Sequence, residues 1–299
     1  MLVLCGALVL ASAACDRGDA STARPFNGDQ ALAYVRTFME FGPRVPGSEA
    51  HRRAGDWIVE QMRQRADTVI EQTWTHVTQQ GDTLPLRNVF ARFRPGAAER
   101  VLYITHWDSR PRSEKARNLG QRSLPVPGAN DGASGVGLFL ALGDLLRQMP
   151  PTHGVDLLFV DGEDYGEFGP PRVDVLLGSA YFVDHLPSAD YQPLFGVVWD
   201  MIGDANLRIP QEGHSVERAR EVVTRVWNAA SDLGYANVFV PETTFPIDDD
   251  HLPFLDKGFR VIDVIDLDYA YHHTPEDTID KISARSLKIV GDVAWHLVQ

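Results

Sequence analysis

Apolar positions along the chain follow two alternating periods. Asp29 followed by Leu32, Val35 and Met39 marks a capped amphipathic helix. A Gly- and Pro-bearing loop over 42–47 leads to a second helix from about 48 to 65. The period then shortens: residues 69–77 and 87–94 alternate, or carry β-branched and aromatic side chains, as strands do. Residues 101–105, 155–160, 195–199 and 260–265 are short unbroken apolar runs, suited to strands covered on both faces. Helical spacing returns between and after them, over about 132–148, 177–185, 215–233 and 284–298. In the last, Leu287, Val290, Ala294 and Leu297 follow Ser283, a preferred N-cap. Strands alternating with helices predict an α/β fold: a three-layer α/β/α sandwich around a central, mostly parallel, mixed twisted sheet, forming a single domain over 28–299.

The first residues break this pattern. Residues 1–14 are almost entirely apolar, but a spanning helix needs roughly 20 such residues. The run resembles a signal peptide over 1–15, followed by a linker over 16–27. Ala11-x-Ala13 fits a conventional cleavage site, and Ser12 to Cys15 resembles a lipobox. Either reading implies export: a periplasmic protein, a lipoprotein anchored through Cys15, or a secreted one. The 28 Lys+Arg against 41 Asp+Glu give a net charge of −13, which argues against nucleic acid and anionic membrane surfaces as main partners. Membrane attachment is therefore expected only through such a lipid, and a monomer is expected. Both cysteines, Cys5 and Cys15, precede the domain, so its body has no disulfide, zinc–thiolate site or cysteine nucleophile.

Ligands of an open α/β sheet sit at the carboxyl ends of its strands, and here each buried run ends in a metal-binding side chain. The run 101–105 leads into His106-Trp107-Asp108, and 155–160 into Asp161-Gly162-Glu163-Asp164. The run 195–199 leads into Asp200, and 260–265 leads to His272-His273. A loop, Gly128-Ala129-Asn130-Asp131-Gly132, adds a carboxylate before an apolar helix. Singly, each has a plainer reading: Asp131 as a helix cap, Glu163-Asp164 as a solvated turn. Together they form a set in which the carboxylates would repel one another and raise their own pKa values unless cations neutralised them. Nitrogen and oxygen donors without sulfur suit zinc in a hydrolytic or Lewis-acid role.

In these motifs and their order the chain resembles the zinc exopeptidase family that contains animal-type glutaminyl cyclases and bacterial secreted aminopeptidases. The resemblance covers roughly 30–298. It rests on Gly42-Pro43-Arg44-Val45-Pro46-Gly47-Ser48, His106-x-Asp108, residues 128–135, Gly162-Glu163-Asp164, Gly178-Ser179, residues 200–203 and His273-Thr274. It implies one zinc held by Asp131, Asp164 and His273. In the two-metal aminopeptidases a second zinc would lie at His106 and Asp200, with Asp131 bridging. Asp108 would orient His106 through its second ring nitrogen, and Glu163 would be the general base and acid. Asp164 departs from the Glu of many relatives.

The thirteen residues Tyr165 to Leu177 between Asp164 and Gly178 match an insertion of the cyclases, and Asp249-Asp250-His251-Leu252-Pro253 matches their Asp-Asp-His-(Ile/Leu)-Pro segment. These favour the cyclase branch. There an N-terminal glutamine closes onto its own side-chain amide with loss of ammonia, Glu163 shuttling the proton and Asp200 and Asp249 sharing a proton network. The alternative is hydrolysis of N-terminal residues by a two-zinc aminopeptidase, with Glu163 activating water. A third reading is a catalytically silent binding protein, against which the retention of Glu163 counts. In all three the partner is a peptide or protein N-terminus. His272 stands where cyclases place a tryptophan; with Phe168 and Trp107 it is a candidate for the substrate wall.

Overall fold

A computed structural model describes residues 25–299. The stretches expected to be a signal peptide, a lipobox and most of the linker, with both cysteines, lie outside the described residues. The helices are α1 (Gly28–Met39), α2 (Glu49–Arg63), α3 (Ala133–Gln148), α4 (Leu177–Asp184), α5 (Gly213–Arg218), α6 (Arg220–Asp232), α7 (His251–Asp256) and α8 (Ala284–His296). The strands are β1 (Thr68–Val77), β2 (Thr83–Phe93), β3 (Arg100–His106), β4 (Gly154–Val160), β5 (Phe195–Asp200), β6 (Ile209–Gln211), β7 (Phe239–Thr243) and β8 (Val261–Ile265).

The main sheet has the order β1-β2-β4-β3-β5-β8. β4, β3, β5 and β8 run parallel, while β2 is antiparallel to both β1 and β4. This is the mixed, mostly parallel sheet that the alternation of elements predicts. Within β3 and β4 the unbroken apolar runs divide by strand period. Val101, Tyr103, Leu157 and Phe159 face a large core shared with α1, α2, α3, α6 and α8. Leu102, Ile104, Leu158 and Val160 face a second core with Phe182 of α4 and Phe254 of α7. Both faces are dry, which explains why these strands show no polar alternation.

Several local expectations need correction. Helix α1 is capped not by Asp29 but by Asn27, whose side chain accepts from the Gln30 N–H at 3.0 Å. Ser48 and Ser283 do cap α2 and α8. The helix expected over 215–233 is two, broken at Ala219 (φ −144°, ψ 42°). Strand β2 begins earlier than its apolar pattern suggests and carries Pro85. Only Val89–Phe93 of β2 pairs with β4, so Pro85 faces a neighbour on one side alone and its missing N–H breaks no ladder on the other.

A candidate metal centre at the carboxyl edge of the sheet

The parallel strands deliver their ends to one place. β3 ends at His106 and β5 at Asp200; the loop after β4 carries Glu163 and Asp164, and the segment after β8 carries His273. His106 Nε2 lies 3.1 Å from Asp131 Oδ1 and 3.1 Å from Asp200 Oδ1. His273 Nε2 lies 3.3 Å from Asp164 Oδ1 and 3.7 Å from Asp131 Oδ2. Asp131 thus stands between the two imidazoles. Glu163 reaches in beside them, its Oε2 3.7 Å from His106 Nδ1. All six side chains are buried.

The loop that presents Asp131 is held from three sides. Arg44 is fully buried and donates to the carbonyls of Pro127 and Gly128. Asn130 donates to Met201 O and accepts from the Gly203 N–H, tying the loop to the end of β5. Asp277 accepts the N–H groups of Asn130 and Asp131 at 2.8 and 3.1 Å, and the Tyr269 hydroxyl at 2.7 Å. Asp131 therefore does not cap α3. The cap is Gly132 at φ +89°, where a Cβ would stand 2.6 Å from Asp108 O. His273 sits at φ +54°, a left-handed conformation costly for a residue with a Cβ and typical of functional sites.

Asp108 stands behind His106, as the resemblance implies, and also holds the neighbouring loop. Its Oδ1 is 3.5 Å from His106 Nδ1, a distance too long for a strong hydrogen bond. Its two oxygens accept the backbone N–H groups of Glu163 and Asp164 at 3.1 and 3.2 Å, fixing that loop. His273 has the closer carboxylate behind it: its Nδ1 donates to Glu114 Oε1 at 2.7 Å, leaving Nε2 to face Asp131 and Asp164. Arg110 completes this support by binding Glu114 at 2.8 Å and Asp164 Oδ1 at 2.7 Å.

Charge at the site is poorly balanced by protein alone. Burial pushes the Glu163 carboxyl well above its usual range, and Asp164, Asp249 and Asp250 push it further against the pull of His106. Burial likewise raises Asp164 and Asp200. Burial opposes a charge on His273, but Asp164, Glu114 and Asp131 outweigh it and lift the imidazole to about 9. His106 is driven well upward in the same way, against burial, chiefly by Asp200 and Glu163. Left to protons alone, the cluster must borrow positive charge from its own histidines.

Leftover acceptors test whether the residues fit a cation. Asp131 Oδ2 and Asp164 Oδ2 are buried and accept no hydrogen bond, and both belong to the carboxylates facing His273. His106, Asp131 and Asp200 each offer a ligand atom within 4.8 Å of the others, and so do Asp131, His272 and His273. The donor set is nitrogen and oxygen without thiolate, as zinc sites of hydrolytic type use. The residues fit a divalent metal.

Beside the cluster opens a cavity of about 440 Å³, lined by Glu163, Asp200, Asp249, Phe168 and His272 among others. Phe168 and Gly169 lie at the tip of a hairpin that the 165–177 insertion forms, closed by the Glu167–Val173 bridge. Trp107 does not reach this cavity, so the structure corrects its placement in the substrate wall. It is fully buried, stacked on His51 at 4.3 Å, with its Nε1 donating to Arg87 O. His51, on α2, is buried, and its Nε2 meets Asp161 Oδ1 at 2.8 Å.

Open-sheet topology and a carboxylate–imidazole cluster at the strand ends define the class: an α/β protein of metallopeptidase type. The model of Peptidase family M28 matches residues 88–298; the chain belongs to this family of zinc-dependent enzymes. It is 26% identical over 217 residues to aminopeptidase YwaD of Bacillus subtilis, covering 66% of this chain and 40% of that protein. It is 29% identical over 221 residues to the mouse glutaminyl-peptide cyclotransferase-like protein, covering 65% of this chain and 55% of that protein. The chain thus spans about half the length of these curated relatives. Among solved structures, the glutaminyl cyclase of Bacteroides thetaiotaomicron bound to N-acetylhistamine superposes with a TM-score of 0.87 at 33% identity, covering 91% of this chain and 97% of that one.

Proposed function

We propose that the protein is a zinc-dependent glutaminyl-peptide cyclotransferase, converting an N-terminal glutamine to pyroglutamate with release of ammonia. The observation that carries this reading is Asp249. It is buried, lines the cavity with Glu163 and Asp200, and has its carboxyl pushed well up by burial and by Asp200 and Asp250. A proton-holding carboxyl beside the base suits a reaction in which a proton travels from one nitrogen to another within a single substrate.

Asp131, Asp164 and His273 would hold the zinc, which as a Lewis acid would polarise the γ-carbonyl of the glutamine side chain. Glu163 accepts a proton from the α-amine as its nitrogen bonds to the carbonyl carbon of the side-chain amide. The carbon–nitrogen bond of the side-chain amide then breaks, and Glu163 returns the proton to the departing nitrogen, which leaves as ammonia. Asp200 and Asp249 steady that nitrogen and hold the shared proton. Phe168 covers the substrate from the insertion hairpin.

A second reading, removal of N-terminal residues by an aminopeptidase, is supported by the close approach of His106, Asp131 and Asp200, which can hold a second ion. Assays of the zinc-loaded protein separate the two. Ammonia release from Gln-Ala with one zinc per chain supports cyclisation. Cleavage of leucine p-nitroanilide with two zincs, and no ammonia from Gln-Ala, replaces it with the peptidase.

A further inference from the structure

The charges lining the catalytic cavity are distributed unevenly between floor and mouth. Carboxylates at the mouth each have a cationic partner: Glu114 is bound by Arg110 at 2.8 Å, Glu167 by Arg112, and Asp248 faces Arg172 at 3.9 Å. Arg110 is also tied to Asp164 on the floor. Lys115 is different. Among the described residues it is the cation of the cavity lining that has no carboxylate partner. Its backbone N–H donates to His273 O at 3.2 Å, which fixes its position relative to the metal histidine. Its Nζ lies 3.0 Å from His272 Nδ1.

That contact determines what the wall offers a substrate. An ammonium is a donor only, so His272 Nδ1 must accept and the ring's other nitrogen must carry the hydrogen. One of the three ammonium hydrogens is used on His272, and two remain. The side wall beside His273 therefore presents the half-buried His272 ring and, at its exposed end, an ammonium that no carboxylate bonds directly. Glu114, Asp131 and Asp164 act on Lys115 through space, but none of them makes an ion pair with its ammonium. With the α-amine of a substrate toward Glu163, this wall is open to the portion of the peptide beyond the first residue.

We propose that Lys115, with His272, is a specificity-determining pair that recognises a carboxylate at the second position of the substrate. The carboxylate comes from an Asp or Glu side chain or from the free C-terminus of a dipeptide. This rests on the reading of the cavity as a site for peptide N-termini, but not on which reaction follows. A half-exposed ion pair of this kind discriminates by about fivefold in affinity.

The test is calorimetric binding to zinc-loaded protein carrying Glu163→Gln, so that no turnover is needed. Gln-Glu-NH2 offers a side-chain carboxylate alone, Gln-Ala a terminal carboxylate alone, Gln-Ala-NH2 neither, and Gln-Lys-NH2 a positive charge. The corresponding Leu peptides repeat the series for the peptidase reading. The two carboxylate peptides are expected to bind about fivefold tighter than Gln-Ala-NH2, with Gln-Lys-NH2 weakest. Adding Lys115→Met should collapse these ratios toward one, and Lys115→Arg should restore them. A preference confined to Gln-Glu-NH2 or to Gln-Ala identifies the source of the carboxylate. Equal affinity across the series, or ratios that survive Lys115→Met, overturns the proposal. If the Leu series alone shows the preference, the pair stands and the glutamine reading falls.

Discussion

Glu163 and Asp164 are adjacent in sequence yet face different tasks, because Asp108 grips both backbone N–H groups and turns one carboxylate toward the cavity and the other toward His273. Glu163→Gln keeps the shape and removes the proposed base. Turnover is expected to fall by about 10²–10⁴-fold while metal analysis shows zinc content unchanged. Glu114→Gln should do the reverse: zinc affinity, read by competition with a chelator, drops by about 10–100-fold as His273 loses the carboxylate behind Nδ1. The residues that converge, His106, Asp131, Asp164, Asp200 and His273, were legible because each sits at a strand end or before a helix, where chain direction alone points it to one edge. Glu114 and Asp277 were not. They lie in loops without periodicity, and only the folded chain brings them behind His273 and Asp131. Trp107 misled for a related reason: a strand's alternation turns it away from the neighbours that flank it in sequence.

At the scale of elements, the turn into α3 leaves its backbone little room. Gly132→Ala places a Cβ 2.6 Å from Asp108 O at a positive φ. The left-handed conformation alone costs about 1–2 kcal/mol. Urea unfolding is expected to show a loss at least that large, together with reduced zinc content, because the displaced loop carries Asp131. An alanine at the exposed, unhindered Gly81 should lose less despite its similar φ of +91°. Long helices and dry strands were legible from period alone. The break at Ala219 was not, since no Gly or Pro marks it and the apolar spacing runs on through both helices. The pair β6–β7 also escaped: β6 is three residues long and both strands contain a proline, so neither carries a strand pattern. Helix α7 hid within a segment conspicuous for its acidic residues, although it carries Leu252 and Phe254 into the core.

Across the whole molecule, the fold gathers more negative charge at one edge than its own cations balance, and this couples metal, pH and stability. In the metal-free protein His273 has its pKa raised from 6.5 to about 9. A raised pKa means the folded state holds the proton more tightly than the unfolded chain. That contribution is complete below pH 6.5 and is lost as pH rises through about 9. Thermal melts of metal-free protein should therefore show declining stability across this window. Zinc-loaded protein should not follow that decline, because the ion replaces the proton. Zinc binding at pH 7 should in turn release protons, visible as an enthalpy that changes with the ionisation heat of the buffer. The most direct measurement of the central claim is anomalous diffraction at the zinc edge from crystals of the zinc-loaded protein. A peak enclosed by Asp131, Asp164 and His273, beside Glu163, is the result predicted here. Density without a peak at those side chains, or zinc bound only elsewhere on the molecule, would contradict it.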